Sequence, residues 1–240
     1  MREQLILLPG WGFDARALSP LAEQLARLVP WLTVDIAPLP ALVQEDAWLD
    51  ELHLRLPETC WLGGWSLGGM LAAQLAARRG RACRGLVTLA SNASFQTRSG
   101  WPAAMPGPVF RDFCQAFELD AQEALKRFVL LCSRGGFDPK TLARQLQVSQ
   151  LQVPTKVLAA GLRLLAQLDN RHALQKYAGP QLHLLGEHDV LVPAAAAGAL
   201  DRLLPAARIQ LFRRASHALP LEYPDDVAEI LAGFFGAHCG

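Results

Sequence analysis

The sequence lacks any Cys-x-x-Cys pair. Its five cysteines, Cys60, Cys83, Cys114, Cys132 and Cys239, are odd in number and scattered. That argues against a disulfide framework and a zinc site, and favours free thiols in a reducing compartment. There is no excess of charge either: 23 basic and 22 acidic residues leave a net charge of +1, so nothing global points to nucleic acid or a membrane surface. No long apolar run opens the chain. Met1-Arg2-Glu3-Gln4 is followed by four apolar residues, Leu5 to Leu8, before Pro9-Gly10, whereas a secretory leader needs about 7–15. The longest uncharged stretch, Cys60 to Ala77, carries Gly63, Gly64, Gly68 and Gly69 around a serine, a poor lipid-facing helix. The expectation is a cytoplasmic, monomeric protein that uses no metal or cofactor, nucleic acid or membrane.

What is present is apolar bulk. Of 240 residues, 51% are hydrophobic and 19% charged, enough for one well-filled core, with room for an inserted lid. Short β-type runs at Leu5–Leu8, Leu32–Ile36, Thr59–Gly63, Leu86–Ala90, Leu182–Leu185 and Ile209–Phe212 alternate with helical patterns near 14–28, 44–55, 67–79, 194–204 and 224–236. This alternation predicts an α/β fold, a parallel sheet with helices on both faces. It breaks between Trp101 and about Arg171. There Asp120 caps a helix with apolar Leu125, Phe128, Val129 and Cys132, and Asp138-Pro139 opens another. The predicted division is a core of residues 1–104 and 173–240 with a helical lid at 105–172, over the carboxyl ends of the strands, where open α/β sheets bind ligands.

Gly64-Trp65-Ser66-Leu67-Gly68 follows the third β-type run and opens a helical one. Gly-x-Ser-x-Gly between a strand and a helix is a nucleophile elbow: a tight turn lifts the serine oxygen above the sheet, and small neighbours let the backbones approach. A serine needs a base held by a third group. Of six histidines, His217 lies five residues past the last strand in a loop before the final helix, where it can return over Ser66. His183 falls within a strand, His53 in a surface-type helix and His238 at a frayed end; these read as structural or solvated. The acid should fall between serine and histidine. Asp189 stands three residues past the fifth strand, and the 28 residues to His217 hold one helix and one strand, so both loops leave one sheet edge. Asp169 is the reserve acid; Glu187 and His188 read as loop residues. Oxyanion donors would be the backbone N–H of Leu67 and, from Pro9-Gly10-Trp11-Gly12, that of Trp11. The Trp11 ring reads equally as an acyl-pocket wall or as packing.

With these residues in place the chain resembles the α/β-hydrolase superfamily over essentially its whole length. Within it, Trp61-Leu62-Gly63-Gly64-Trp65-Ser66-Leu67-Gly68-Gly69, Pro9-Gly10-Trp11-Gly12 and Arg127-Phe128 resemble the pimeloyl-[acyl-carrier protein] methyl ester esterases. The resemblance implies a serine carboxylesterase of biotin synthesis acting on a methyl ester carried by acyl-carrier protein. Ser66, Asp189 and His217 would form the triad, Trp11 and Leu67 the oxyanion donors, and Phe128, Val129, Leu130, Leu131 and Cys132 the acyl-tunnel wall. Two departures stand out. Pro9 replaces the histidine of the usual His-Gly-x-x loop, and the chain begins almost at the oxyanion-loop strand, which puts the sheet's edge in question.

Residues 126–163 carry seven basic residues against the single acid Asp138, while 16 basic face 21 acidic elsewhere. Arg127 with Arg134, and Lys140 with Arg144, are spaced to share helix faces. Such a patch would steer an acidic carrier protein to the active-site mouth; the plain alternative is a solvated basic surface. Two other functions keep the fold: an esterase or thioesterase for small free acyl esters, and a hydrolase-fold receptor that holds its ligand without cleaving it.

Overall fold

The computed structural model describes residues 3–238; Cys239 lies outside them. Six strands, β1 (Glu3–Leu8), β2 (Leu32–Ile36), β3 (Cys60–Trp65), β4 (Cys83–Leu89), β5 (Gln181–Gly186) and β6 (Arg208–Phe212), form one parallel sheet in the order β2-β1-β3-β4-β5-β6. Each expected run falls on a strand except at Thr59 and Ala90, which lie just outside β3 and β4, and β4 begins three residues earlier. β3 and β5 are buried throughout, whereas β2 and β6 alternate with exposed positions, because an edge strand has one neighbour and thinner cover.

The helices are α1 (Ser19–Leu28), α2 (Trp48–Arg55), α3 (Leu67–Arg79), α4 (Gly107–Leu119), α5 (Ala121–Ser133), α6 (Pro139–Val148), α7 (Thr155–Gln167), α8 (Arg171–Lys176), α9 (Ala195–Leu203), α10 (Leu219–Glu222) and α11 (Pro224–His238). After β2 the strand order reverses direction across β1. Right-handed crossovers therefore place α1 on one face and α2, α3 and α9 on the other; α1 packs on α11, and α3 on α2 and α8. No helix among the described residues is long and apolar enough to cross a membrane. His238, expected at a frayed end, closes α11, its Nδ1–H donating to the Phe234 carbonyl at 2.8 Å.

Between β4 and β5 lie α4 to α8. Asp120 accepts the Glu123 N–H at 3.0 Å and Asp138 the Thr141 N–H at 3.1 Å, so both expected caps start helices. α4 and α7 have no counterpart among the expected helices.

One buried polar pair braces the sheet. The Gln181 amide donates to the Leu174 and Tyr177 carbonyls, which turns its oxygen toward His183 Nε2 at 3.4 Å, and Thr88 Oγ1 lies 2.7 Å from Nδ1. His183 is thus a neutral core imidazole, which burial pushes down to about 4. The unfolded chain takes up this proton near pH 6.5 and the folded one only near 4. The associated stability, about 3 kcal/mol, is present above pH 6.5 and lost as pH falls through that window. A His183→Gln variant is expected to flatten the pH dependence of Tm between 6.5 and 4; parallel curves for variant and parent would contradict this.

Candidate active site

Ser66 stands between β3 and α3 with φ 55° and ψ −120°, a conformation costing about 1–3 kcal/mol for a residue with a Cβ. Its surroundings impose it. The Ser66 N–H donates to the Leu89 carbonyl at 2.9 Å, and its own carbonyl accepts Ser91 Oγ–H at 2.9 Å and the Met70 N–H at 3.2 Å. The flanking glycines are steric necessities: a Cβ on Gly64 would overlap the Gly68 backbone, and one on Gly68 the Leu8 carbonyl. The elbow thus folds only with backbone against backbone on both sides of the serine.

The other two groups arrive as the strand order implies. His217 Nε2 is 2.9 Å from Ser66 Oγ, and His217 Nδ1 is 2.7 Å from Asp189 Oδ2. Asp189 Oδ1 accepts the Leu191 and Val192 N–H groups at 2.8 and 2.9 Å. A carboxylate can only accept from the ring, so Nδ1 carries the proton and Nε2 is free to accept from Ser66. All three residues are buried, His217 fully, and low dielectric strengthens the line. Gly186 lets the histidine loop pass, since a Cβ there would overlap the Ala215 carbonyl. Trp65 holds that loop from below, its indole N–H donating to the His217 carbonyl at 2.7 Å. This role of Trp65 was missed in sequence, although the residue lies inside the elbow motif.

Neither the Trp11 nor the Leu67 backbone N–H has a protein acceptor among the described residues. Leu67 is the first residue of α3, where unpaired N–H groups and the helix dipole favour an anion. The Trp11 ring is packing rather than pocket wall. Its N–H donates to the Leu158 carbonyl at 2.8 Å, its faces meet Phe113, Phe117 and Phe128, and Gly161 of α7 leaves it room.

A cavity of about 240 Å³ opens beside these aromatics, walled by Phe95, Met105, Phe110, Phe113, Leu162 and Leu165, with Phe128 and Leu131 from α5 and Leu191 from beyond Asp189. The expected wall of five consecutive residues needs correction. Phe128 and Leu131 face the cavity, Val129 and Cys132 are buried away from it, and Leu130 is 59% exposed on the outer surface. Five successive residues of a helix point around more than one full turn, so they cannot line one wall. Phe110 and Phe113 in α4 stand three residues apart, at helical spacing, a signal by which that wall could have been found. Burial raises the Cys132 thiol well above its ordinary value, with the Asp189 charge adding to it, and raises Cys114 too; neither has thiolate character.

Asp169 does not reach His217. It pairs with Arg171 at 2.6 Å, which holds its carboxyl below the usual range. Glu187 accepts the Arg214 N–H, and His188 Nδ1–H donates to the Gly135 carbonyl at 3.2 Å. Arg127 and Arg134 stand at the cavity mouth, and Arg134, Lys140 and Arg144 border a shallow depression between α5 and α6. None of these four has an ion-pair partner among the described residues, whereas Lys126 pairs with Glu123 and Arg163 with Glu45. The free basic surface is therefore narrower than the composition of 126–163 implies. Among the described residues no group of three or more histidines, cysteines or carboxylates could hold a metal.

The alpha/beta hydrolase family profile matches residues 5–230. A biotin biosynthesis bifunctional protein of Cellvibrio japonicus is 39% identical over 98% of this chain, which spans only 48% of that relative's length. A pimeloyl-[acyl-carrier protein] methyl ester esterase of Aeromonas hydrophila is 34% identical, with 98% of this chain and 85% of the relative covered. Among solved structures, a bromoperoxidase of Bacillus anthracis superposes with a TM-score of 0.85 at 17% identity, covering 98% of this chain and 92% of its own; this likeness shows the fold alone.

Proposed function

Because the chain belongs to the alpha/beta hydrolase family, we propose that it is a serine carboxylesterase hydrolysing the methyl ester of pimeloyl-[acyl-carrier protein], in the route to biotin, to the free ω-carboxylate and methanol. The observation that carries this reading is the unbroken line from Asp189 through His217 to Ser66; Val190 and Leu191, which follow Asp189, wall an apolar cavity. Ser66 Oγ attacks the ester carbonyl as His217 Nε2 takes its proton. The Leu67 and Trp11 N–H groups stabilise the oxyanion, each by about 3 kcal/mol. His217 returns the proton to the departing methoxy oxygen, and water, deprotonated by the same nitrogen, cleaves the acyl-enzyme.

The carrier-bound substrate is supported by shape and charge. The cavity, about 240 Å³ and walled mostly by apolar side chains, suits an acyl chain. Its walls combine buried Phe128 and Leu191 with the exposed Arg127 and Arg134. An acyl chain reaching Ser66 with its distal ester would leave the carrier outside, against the unpaired basic strip. That relatives of matching length carry the name of this esterase supports the same assignment.

The test is mass spectrometry of pimeloyl methyl ester on acyl-carrier protein before and after incubation, with loss of the mass of one methylene expected. Lys140→Glu combined with Arg144→Glu should lower kcat/KM for the carrier-bound ester about 10- to 100-fold at low salt, with hydrolysis of a short p-nitrophenyl ester kept. An unchanged value for the carrier-bound ester would favour the reading as an esterase or thioesterase for free substrates.

A further inference from the structure

We infer that Glu222 is a positioning residue that sets His217 against Ser66 and makes that alignment depend on the turn between α5 and α6. The inference rests on the esterase reading and deepens it. His217 sits on a loop that begins at Arg214, whose φ of 60° marks a strained bend, so its placement depends on what grips the loop.

Glu222 grips it from α10. Its Oε2 accepts both the N–H and the Oγ–H of Ser216, at 2.8 and 2.7 Å. Ser216 Oγ in turn accepts the Ala218 N–H at 3.2 Å, and that N–H also faces the Cys132 carbonyl of α5 at 3.1 Å. The residues before and after His217 are thus tethered to one carboxylate. The other oxygen, Oε1, accepts the Phe137 N–H at 2.7 Å, from the turn joining α5 to α6. Gly136 leaves room for that approach: a Cβ there would stand 2.7 Å from Leu142 Cδ1 and 2.9 Å from Oε1, so both side chains would have to shift.

Glu222 has three neutral donors and no ion-pair partner among the described residues, so its charge is spent on holding two backbone segments together. The same turn touches the acid loop. Gly135, with φ 87°, lies against the His188 carbonyl, and His188 N–H donates to the Ala215 carbonyl at 2.9 Å. The turn carries Phe137, 89% exposed, and is flanked by Arg134 and Lys140. A partner pressing on this surface acts through Glu222 on the histidine.

The test uses a short p-nitrophenyl ester, with active sites counted by a fluorophosphonate. In Glu222→Gln one terminal atom becomes an NH₂ facing a donor, at either Ser216 or Phe137. The expected result is a fall of about tenfold in kcat per titrated site, with KM changed less than twofold. A merely structural role would lower the number of titrated sites and leave kcat per site alone. Gly136→Ala, whose Cβ presses on Glu222 Oε1 and on Leu142 Cδ1 of α6 but not on the histidine loop, should reproduce part of the defect. The double variant should be no worse than Glu222→Gln. Unchanged kcat per site in Glu222→Gln, or additive losses in the double variant, overturns the inference; should Glu222→Gln fail to fold, an unchanged kcat in Gly136→Ala overturns it. If the parent protein itself leaves the ester intact, the esterase reading fails and this one with it.

Discussion

Ser66→Ala is expected to lower kcat by about ten-thousand- to million-fold on any ester the protein cleaves, while Tm moves by no more than about 1 kcal/mol of stability corresponds to. The two halves of this expectation rest on different atoms. The elbow is held by backbone groups of Ser66, its N–H on Leu89 and its carbonyl on Ser91 and Met70, and by the contact of Gly64 with Gly68. None of these involves Oγ, and alanine suffers the same strain at φ 55° as serine does. What is removed is the atom 2.9 Å from His217 Nε2. The residual rate should come from binding and the oxyanion donors alone. Steady-state kinetics beside a thermal melt checks both halves, and a loss of less than about 100-fold would contradict the nucleophile assignment.

Asp189→Asn is expected to cost about ten-thousand-fold in kcat, for a reason particular to this loop. Oδ1 accepts the Leu191 and Val192 N–H groups, so the amide oxygen of asparagine must take that position. Its NH₂ then occupies the place of Oδ2, 2.7 Å from His217 Nδ1. A donor there forces the proton onto Nε2, and a protonated Nε2 cannot accept from Ser66. The geometry survives and the tautomer is wrong. Kinetics on the purified variant checks this; near-parent activity would mean that another group orients the histidine, which Asp169, committed to Arg171, is not placed to do.

Much of this arrangement was legible in the residues, for physical reasons. Central strands of a parallel sheet are apolar on both faces, so Leu5–Leu8 and Leu182–Leu185 stand out between turn residues. A right-handed crossover returns each loop to the same edge, which is why Asp189 and His217 could be paired across 28 residues. Gly64 and Gly68 point to an elbow because no other side chain fits between two touching backbones.

The helical segment between β4 and β5 was harder to read. Helical spacing shows that α5 has an apolar face, but not whether Phe128 and Leu131 look into a cavity while Val129 looks into the core. Much of the remaining wall comes from α4 and α7, which local pattern did not separate, and the rest from Phe95, Met105 and Leu191 in loops. The free charge of the basic strip depends on Glu123 and Glu45, which neutralise Lys126 and Arg163; Glu45 is distant in sequence. Glu222 carries no motif at all, and only the folded chain brings it to Ser216 and Phe137.

The most direct test of the account is the intact mass of the protein, acid-quenched shortly after mixing with a p-nitrophenyl ester. The account predicts an increase by one acyl group, located by peptide mapping on Ser66 and absent from Ser66→Ala. An acyl group on another residue, or turnover of the ester with no Ser66 adduct at any quench time, would contradict it.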